Sequence, residues 1–131
     1  MASRLLKLTS VLVVSSVVFL PLSFAQKTTG EIHGTVTDQS GAVIAGCALT
    51  LTDQATGVVR KTTSDTQGSF SFLELPVGSY TITAAKEGFK TLSQKDLAVH
   101  VSTVTTTTVQ LPIGATTETV SVEAAGLTLN T

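Results

Sequence analysis

From Gln26 onward, apolar and polar residues alternate with a period of two, the spacing that sends successive side chains to opposite faces of a strand. Ile32, Gly34 and Val36 fall on one face, and His33, Thr35 and Thr37 on the other. Cys47, Leu49 and Leu51 oppose Ala48, Thr50 and Thr52. A further strand is predicted from Val58 to Thr63. Phe70 and Phe72 then alternate with Ser69 and Ser71, and Tyr80, Ile82 and Ala84 with Ser79, Thr81 and Thr83. Leu97, Val99 and Val101 continue the pattern, and Val109 with Leu111 closes it. Threonine on the outward positions suits a pleated surface half in water.

Turn chemistry separates these runs. Asp38-Gln39-Ser40-Gly41 and Asp65-Thr66-Gln67-Gly68 both place aspartate first and glycine fourth, as a type I turn favours. In Leu75-Pro76-Val77-Gly78 the proline presets a bend and holds Leu75 extended, and Glu87-Gly88-Phe89 marks another reversal. After Gln26 no apolar repeat at helical spacing is sustained. About seven short strands separated by such turns predict an all-β sandwich with a Greek-key path.

The first 25 residues follow a different rule. Arg4 and Lys7 precede an uncharged stretch from Leu8 to Ala25, which ends in the small-residue site Ser23-Phe24-Ala25. This is the pattern of a secretory signal peptide. A retained membrane anchor is the competing reading, but Pro21 and the serines favour cleavage, after which no membrane span is expected. The expected layout is a signal peptide over 1–25, a linker over 26–29, a sandwich over 30–113 and a C-terminal tail over 114–131.

Charge narrows the partners. Eight basic residues stand against nine acidic ones, and leader removal takes away Arg4 and Lys7, so no basic surface is left to attract nucleic acid. Cys47 is the only cysteine, which excludes an intramolecular disulfide in an exported chain. Ile44-Ala45-Gly46-Cys47 has the look of a lipid-attachment site, but it lies far beyond the apolar run and Cys47 is in phase with Leu49 and Leu51. A buried apolar role is expected for it.

Catalytic chemistry finds little support. His33 and His100 sit on outward faces, and no His-x-His, Cys-x-x-Cys or His-x-x-Glu spacing accompanies them. Asp38 and Asp65 each bring one carboxylate to a turn, where calcium takes roughly six to eight oxygens. No catalytic residue, metal site or cofactor is expected. Stacking on a sugar needs an exposed aromatic ring; Tyr80 is in phase with Ile82, which leaves Phe89 as the candidate platform for a polysaccharide.

A longer pattern runs through the turns: Gly34-x-Val36-x-Asp38-x-x-Gly41, Thr63-x-Asp65-x-x-Gly68-x-Phe70-x-Phe72, Leu75-Pro76-x-Gly78-x-Tyr80, and Gly88-Phe89. It resembles the carboxypeptidase regulatory-like domain over about residues 30 to 113. The resemblance implies a transthyretin-like sandwich of the prealbumin type and no catalysis. Such domains often precede the plug and barrel of TonB-dependent outer-membrane receptors, which implies a periplasmic, outer-membrane-associated or secreted module with a protein partner in the cell envelope. The run from Leu111 to Ala124 is similar to the lead into such a plug, and the chain carries neither plug nor barrel. A truncated receptor and a free-standing module both fit. Glu118, Thr119, Val120, Ser121 and Val122 also resemble a TonB box, a strand that would pair with a partner's sheet edge. The alternatives are one more strand of the domain or a tail. A carbohydrate-binding module of starch-binding-like fold is the alternative function.

Overall fold

The computed structural model describes residues 26 and 28–124, and the expected signal peptide lies outside the described residues. Eight strands follow one another: β1 (Thr29–Asp38), β2 (Ala48–Asp53), β3 (Val59–Thr63), β4 (Ser69–Pro76), β5 (Gly78–Ala85), β6 (Thr91–Val99), β7 (Val104–Leu111) and β8 (Thr119–Glu123). They form a small sheet in the order β4-β1-β7 and a large sheet in the order β3-β2-β5-β6-β8. Two neighbouring pairs are parallel, β1 with β7 and β6 with β8. No described residue is helical.

The inward faces meet as the alternation predicts. Ile32, Val36, Leu49, Leu51, Phe72, Tyr80, Ile82, Val109 and Leu111 are buried, and Cys47 is wholly enclosed among them. Burying each larger apolar side chain stabilises by roughly 1.5–3 kcal/mol, which supplies the cohesion that a disulfide would otherwise add. Burial pushes the Cys47 thiol above its ordinary 9.0, as desolvation disfavours the thiolate.

Two strands lose strict alternation, each at a single residue in the left-handed region. In β4 the buried positions run Phe70, Phe72, then Leu75, because Gly30 pairs with Leu75 but Ile32 pairs with Phe72. The extra residue is absorbed at Glu74, whose φ is 52°. In β6 the buried positions are Leu92, Leu97 and Val99, and the register slips between Tyr80 and Ile82 with Asp96 at φ 61°. These are β-bulges, in which one added residue locally re-aims the side chains. The bulge also explains why β6 starts at Thr91, earlier than its alternation suggests.

Val101 departs from expectation. It is half exposed, because β6 ends at Val99 and residues 101 and 102 form the turn into β7. The expected tail also contributes a strand: β8 extends the large sheet beyond residue 113.

The turns behave as their residues suggest. Asp38 Oδ1 accepts from the Ser40 and Ala42 amides at 2.8 and 3.0 Å, and Asp65 Oδ1 from those of Gln67 and Ser69 at 2.9 Å each. Gly41 and Gly68 then donate to the carbonyls of Asp38 and Asp65. Gly68 has φ +74°, and a Cβ there would meet the Val36 carbonyl at 2.7 Å, so both backbone angle and space favour glycine.

Candidate functional site

Among the described residues the candidate contact surfaces are the strands at the sheet edges. On one flank β3 and β4 lie across from each other, and Arg60 bridges them by donating to the carbonyls of Leu73 at 2.8 Å and Glu74 at 3.3 Å. Beside the bridge is a cavity of about 180 Å³ lined by Leu51, Asp53, Thr56, Val58, Arg60, Pro76 and Tyr80. Its polar groups are occupied in structural work. Asp53 accepts from the Ala55 and Thr56 amides at 2.8 and 3.1 Å, and these bonds hold its carboxyl below the ordinary 3.8. Tyr80 donates to the Pro76 carbonyl at 2.7 Å, and desolvation raises its hydroxyl above the ordinary 10.0. Arg60 spends its fork on two carbonyls. That arrangement ties β3 to β4 across the flank.

The opposite flank is built by residues 112–124. Lys90 N–H donates to the Pro112 carbonyl at 2.7 Å, Gly114 N–H to Gly88 at 3.2 Å, and Thr91 N–H to Glu118 at 2.8 Å. Thr91 Oγ1 donates to the Thr116 carbonyl at 2.7 Å, and Lys90 Nζ lies 2.6 Å from the Glu118 carboxylate. These contacts lay the connection over the β5–β6 turn and deliver β8 to the edge of β6. The register is Thr91 with Thr119 through Lys95 with Glu123, and Ala124 N–H donates to the Lys95 carbonyl at 2.8 Å.

The residues singled out in the sequence fall here. Glu118 precedes β8, and Thr119, Val120, Ser121 and Val122 lie within it, so the structure pairs this stretch with the domain's own sheet. Val120 packs against the core, whereas Val122 is 39% exposed. Because Glu118 O and Ala124 N bond to β6, the alternate residues Thr119, Ser121 and Glu123 turn their backbone groups away from it. Phe89 bridges to Ile113 and packs, partly buried, against the core, so part of its ring is already committed.

The histidines stay apart from these sites. His33 Nε2 lies 3.2 Å from Glu31 on an exposed surface, and His100 is exposed at the end of β6. Among the described residues no three His, Cys, Asp or Glu side chains converge to hold a metal ion, and no helix is long and apolar enough to cross a membrane. Residues the alternation could not single out include Arg60 and the buried Ser64, whose value lies in partners distant in sequence.

Among the described residues the fold is a two-layer sandwich of a three-stranded and a five-stranded sheet. Residues 31–112 match the carboxypeptidase regulatory-like domain, and the chain belongs to that family. It is 30% identical over 129 residues to the TonB-dependent transporter Oar of Myxococcus xanthus; the match spans 98% of this chain and 12% of that transporter. Among solved structures, the minor pilin of Streptococcus agalactiae superimposes with a TM-score of 0.55 at 15% identity, covering 70% of this chain and 47% of the pilin. A putative carbohydrate-binding protein from Bacteroides uniformis gives 0.52 at 17% identity, covering 62% and 40%. At such identities these two likenesses concern the fold alone.

Proposed function

We propose that this chain is a non-catalytic, exported structural or interaction module of the cell envelope, serving as the extension domain of a TonB-dependent receptor. The observation that carries it is the similarity to a TonB-dependent transporter along almost the whole chain, together with the family match. The leader-like first 25 residues support export. Contact is made through backbone at a sheet edge, and Thr119, Ser121 and Glu123 present the groups for it. Sugar binding at Phe89 is the weaker reading, as that ring is partly committed to the core.

The test is site-specific photo-crosslinking in a Gram-negative host. A photo-reactive residue at Thr119 should give a covalent adduct, identified by mass spectrometry, with a protein of the envelope. An exported, folded chain that yields no adduct from Thr119, or one retained in the cytoplasm, would overturn the reading.

A further inference from the structure

We infer that the outer edge of β8 is a self-association surface, and that its occupant is β8 of a second copy of this chain, paired antiparallel about a two-fold axis at Ser121. The inference rests on the contact role proposed above and names the partner.

Among the described residues four strands stand at sheet edges: β4 and β7 in the small sheet, β3 and β8 in the large one. Two-fold antiparallel pairing of β3 on its middle residue would set Lys61 against Lys61 of the other copy, and like charges directly opposite are destabilising. β4 is bulged at Glu74, and Arg60 occupies the Leu73 and Glu74 carbonyls.

β7 carries no charge, but it is set back. Thr105 Oγ1 donates to the Ala98 carbonyl and Thr107 Oγ1 to Gln94 Oε1, which seats β7 over β6. Arg60 likewise ties β4 to β3, so both sheets run in the same direction and β8 projects one strand beyond β7. A strand added beside β7 would therefore have to lie over the projecting β8.

Among the described residues β8 has none of these obstacles. Its sequence Thr119-Val120-Ser121-Val122-Glu123 is nearly palindromic. Under the two-fold, Ser121 meets Ser121, Thr119 meets Glu123 and Val120 meets Val122, with no like charges opposed. The outward-turned backbone groups belong to Thr119, Ser121 and Glu123, the residues that would face one another and exchange paired bonds. Val120 and Val122 share the face of Leu92 and Gln94, to which they are registered. The exposed Val122 would therefore gain cover from Val120 of the other copy. Such a contact is closed and isologous, so it ends at a dimer.

The experiment is sedimentation or light-scattering mass of the purified chain across a concentration series, with three variants. Ser121→Pro removes an amide that faces away from β6, a placement an edge strand tolerates. Ser121→Lys sets two positive charges across the axis, and Thr106→Lys charges the β7 edge instead. Expected are a mass of two chains for the parent and Thr106→Lys, and of one chain for both Ser121 variants, all with unchanged circular dichroism. A parent that stays at the mass of one chain, or a folded Ser121→Pro that still doubles, would overturn the inference. An envelope adduct at Thr119 from a chain that stays single would defeat self-association alone and leave the contact role standing.

Discussion

Phe70 lies across Gly34. The two are register partners in β4 and β1, and a Cβ on Gly34 would stand 2.4 Å from the Phe70 ring and 2.6 Å from the Thr107 carbonyl. Glycine therefore leaves the space that lets an aromatic side chain cover the middle of the central strand. Gly34→Ala should destabilise the domain by about 1–3 kcal/mol, the usual cost of overpacking, as read from urea denaturation. Trimming the ring with Phe70→Leu should restore only part of the loss, since the Thr107 carbonyl stays. Full restoration would show that the carbonyl contact relaxes freely.

Ser64 joins the β1–β2 connection to the end of β3. Its hydroxyl donates to the Ile44 carbonyl at 2.7 Å and accepts from the Cys47 amide at 2.9 Å, and it is buried. Ser64→Ala strands both groups and should cost about 1–3 kcal/mol. A thermal melt unchanged from the parent would contradict this.

Cys47 reports on opening of the core. Enclosed and with its thiol shifted upward by desolvation, it should react with a thiol reagent only when the structure opens. Ser64→Ala should accelerate that labelling. Rapid labelling of the native chain at neutral pH would count against the burial.

The bulge residue Glu74 sits at φ 52°, where a side chain is disfavoured and glycine is not. Arg60 reaches its backbone carbonyl, a contact that does not depend on the Glu74 side chain. Glu74→Gly should accordingly keep the fold and raise stability by up to about 1 kcal/mol, measured by chemical denaturation. Loss of stability would mean that the glutamate makes a compensating contact.

Acid and alkali should act through different groups. Ser40 and neighbouring amides hold the Asp38 carboxyl below 3.8, and the Ala55 and Thr56 amides do so for Asp53. For a lowered carboxyl the stabilisation is present above 3.8 and disappears as pH falls through the lower folded value, so stability should drop on acidification below about 4. Tyr80 is shifted the other way, mainly by burial, with the Asp53 charge adding to the shift and Arg60 opposing it. Its contribution is complete below 10.0 and is lost as pH rises through the folded value. It is the chain's one tyrosine, so ultraviolet titration reads it directly. A midpoint at or below 10.0 in the folded chain would be inconsistent with the buried bond to Pro76.

Much of the sandwich was legible because alternation and turn chemistry are local. Ile32 and Val36, Leu49 and Leu51, and Tyr80 and Ile82 all lie inward as their spacing implies. The aspartate turns at Asp38 and Asp65 form with the expected glycines. Legibility fails where one residue changes phase: Glu74 and Asp96 each shift the pattern by one, and nothing in their types announces it. Val101 follows the alternation yet lies in a turn. Phe89 looks like an exposed turn aromatic, but Ile113, far along the chain, bridges to it. The edge at 118–122 was legible as a strand, whereas its pairing with β6 was not.

By itself the sequence determined that the chain after Gln26 folds as extended strands with an apolar side and a threonine-rich side, held without a disulfide. Those properties follow from side-chain spacing and composition, which act within a few residues. Tertiary structure alone decided which strands became neighbours, that Arg60 would close one flank, and that β8 would stand beyond β7 on the other. Pairing joins backbone groups that are alike in every residue, so its choice depends on the packing of the whole core. At that level one strand is left at the sheet's edge with the backbone groups of Thr119, Ser121 and Glu123 turned away from β6.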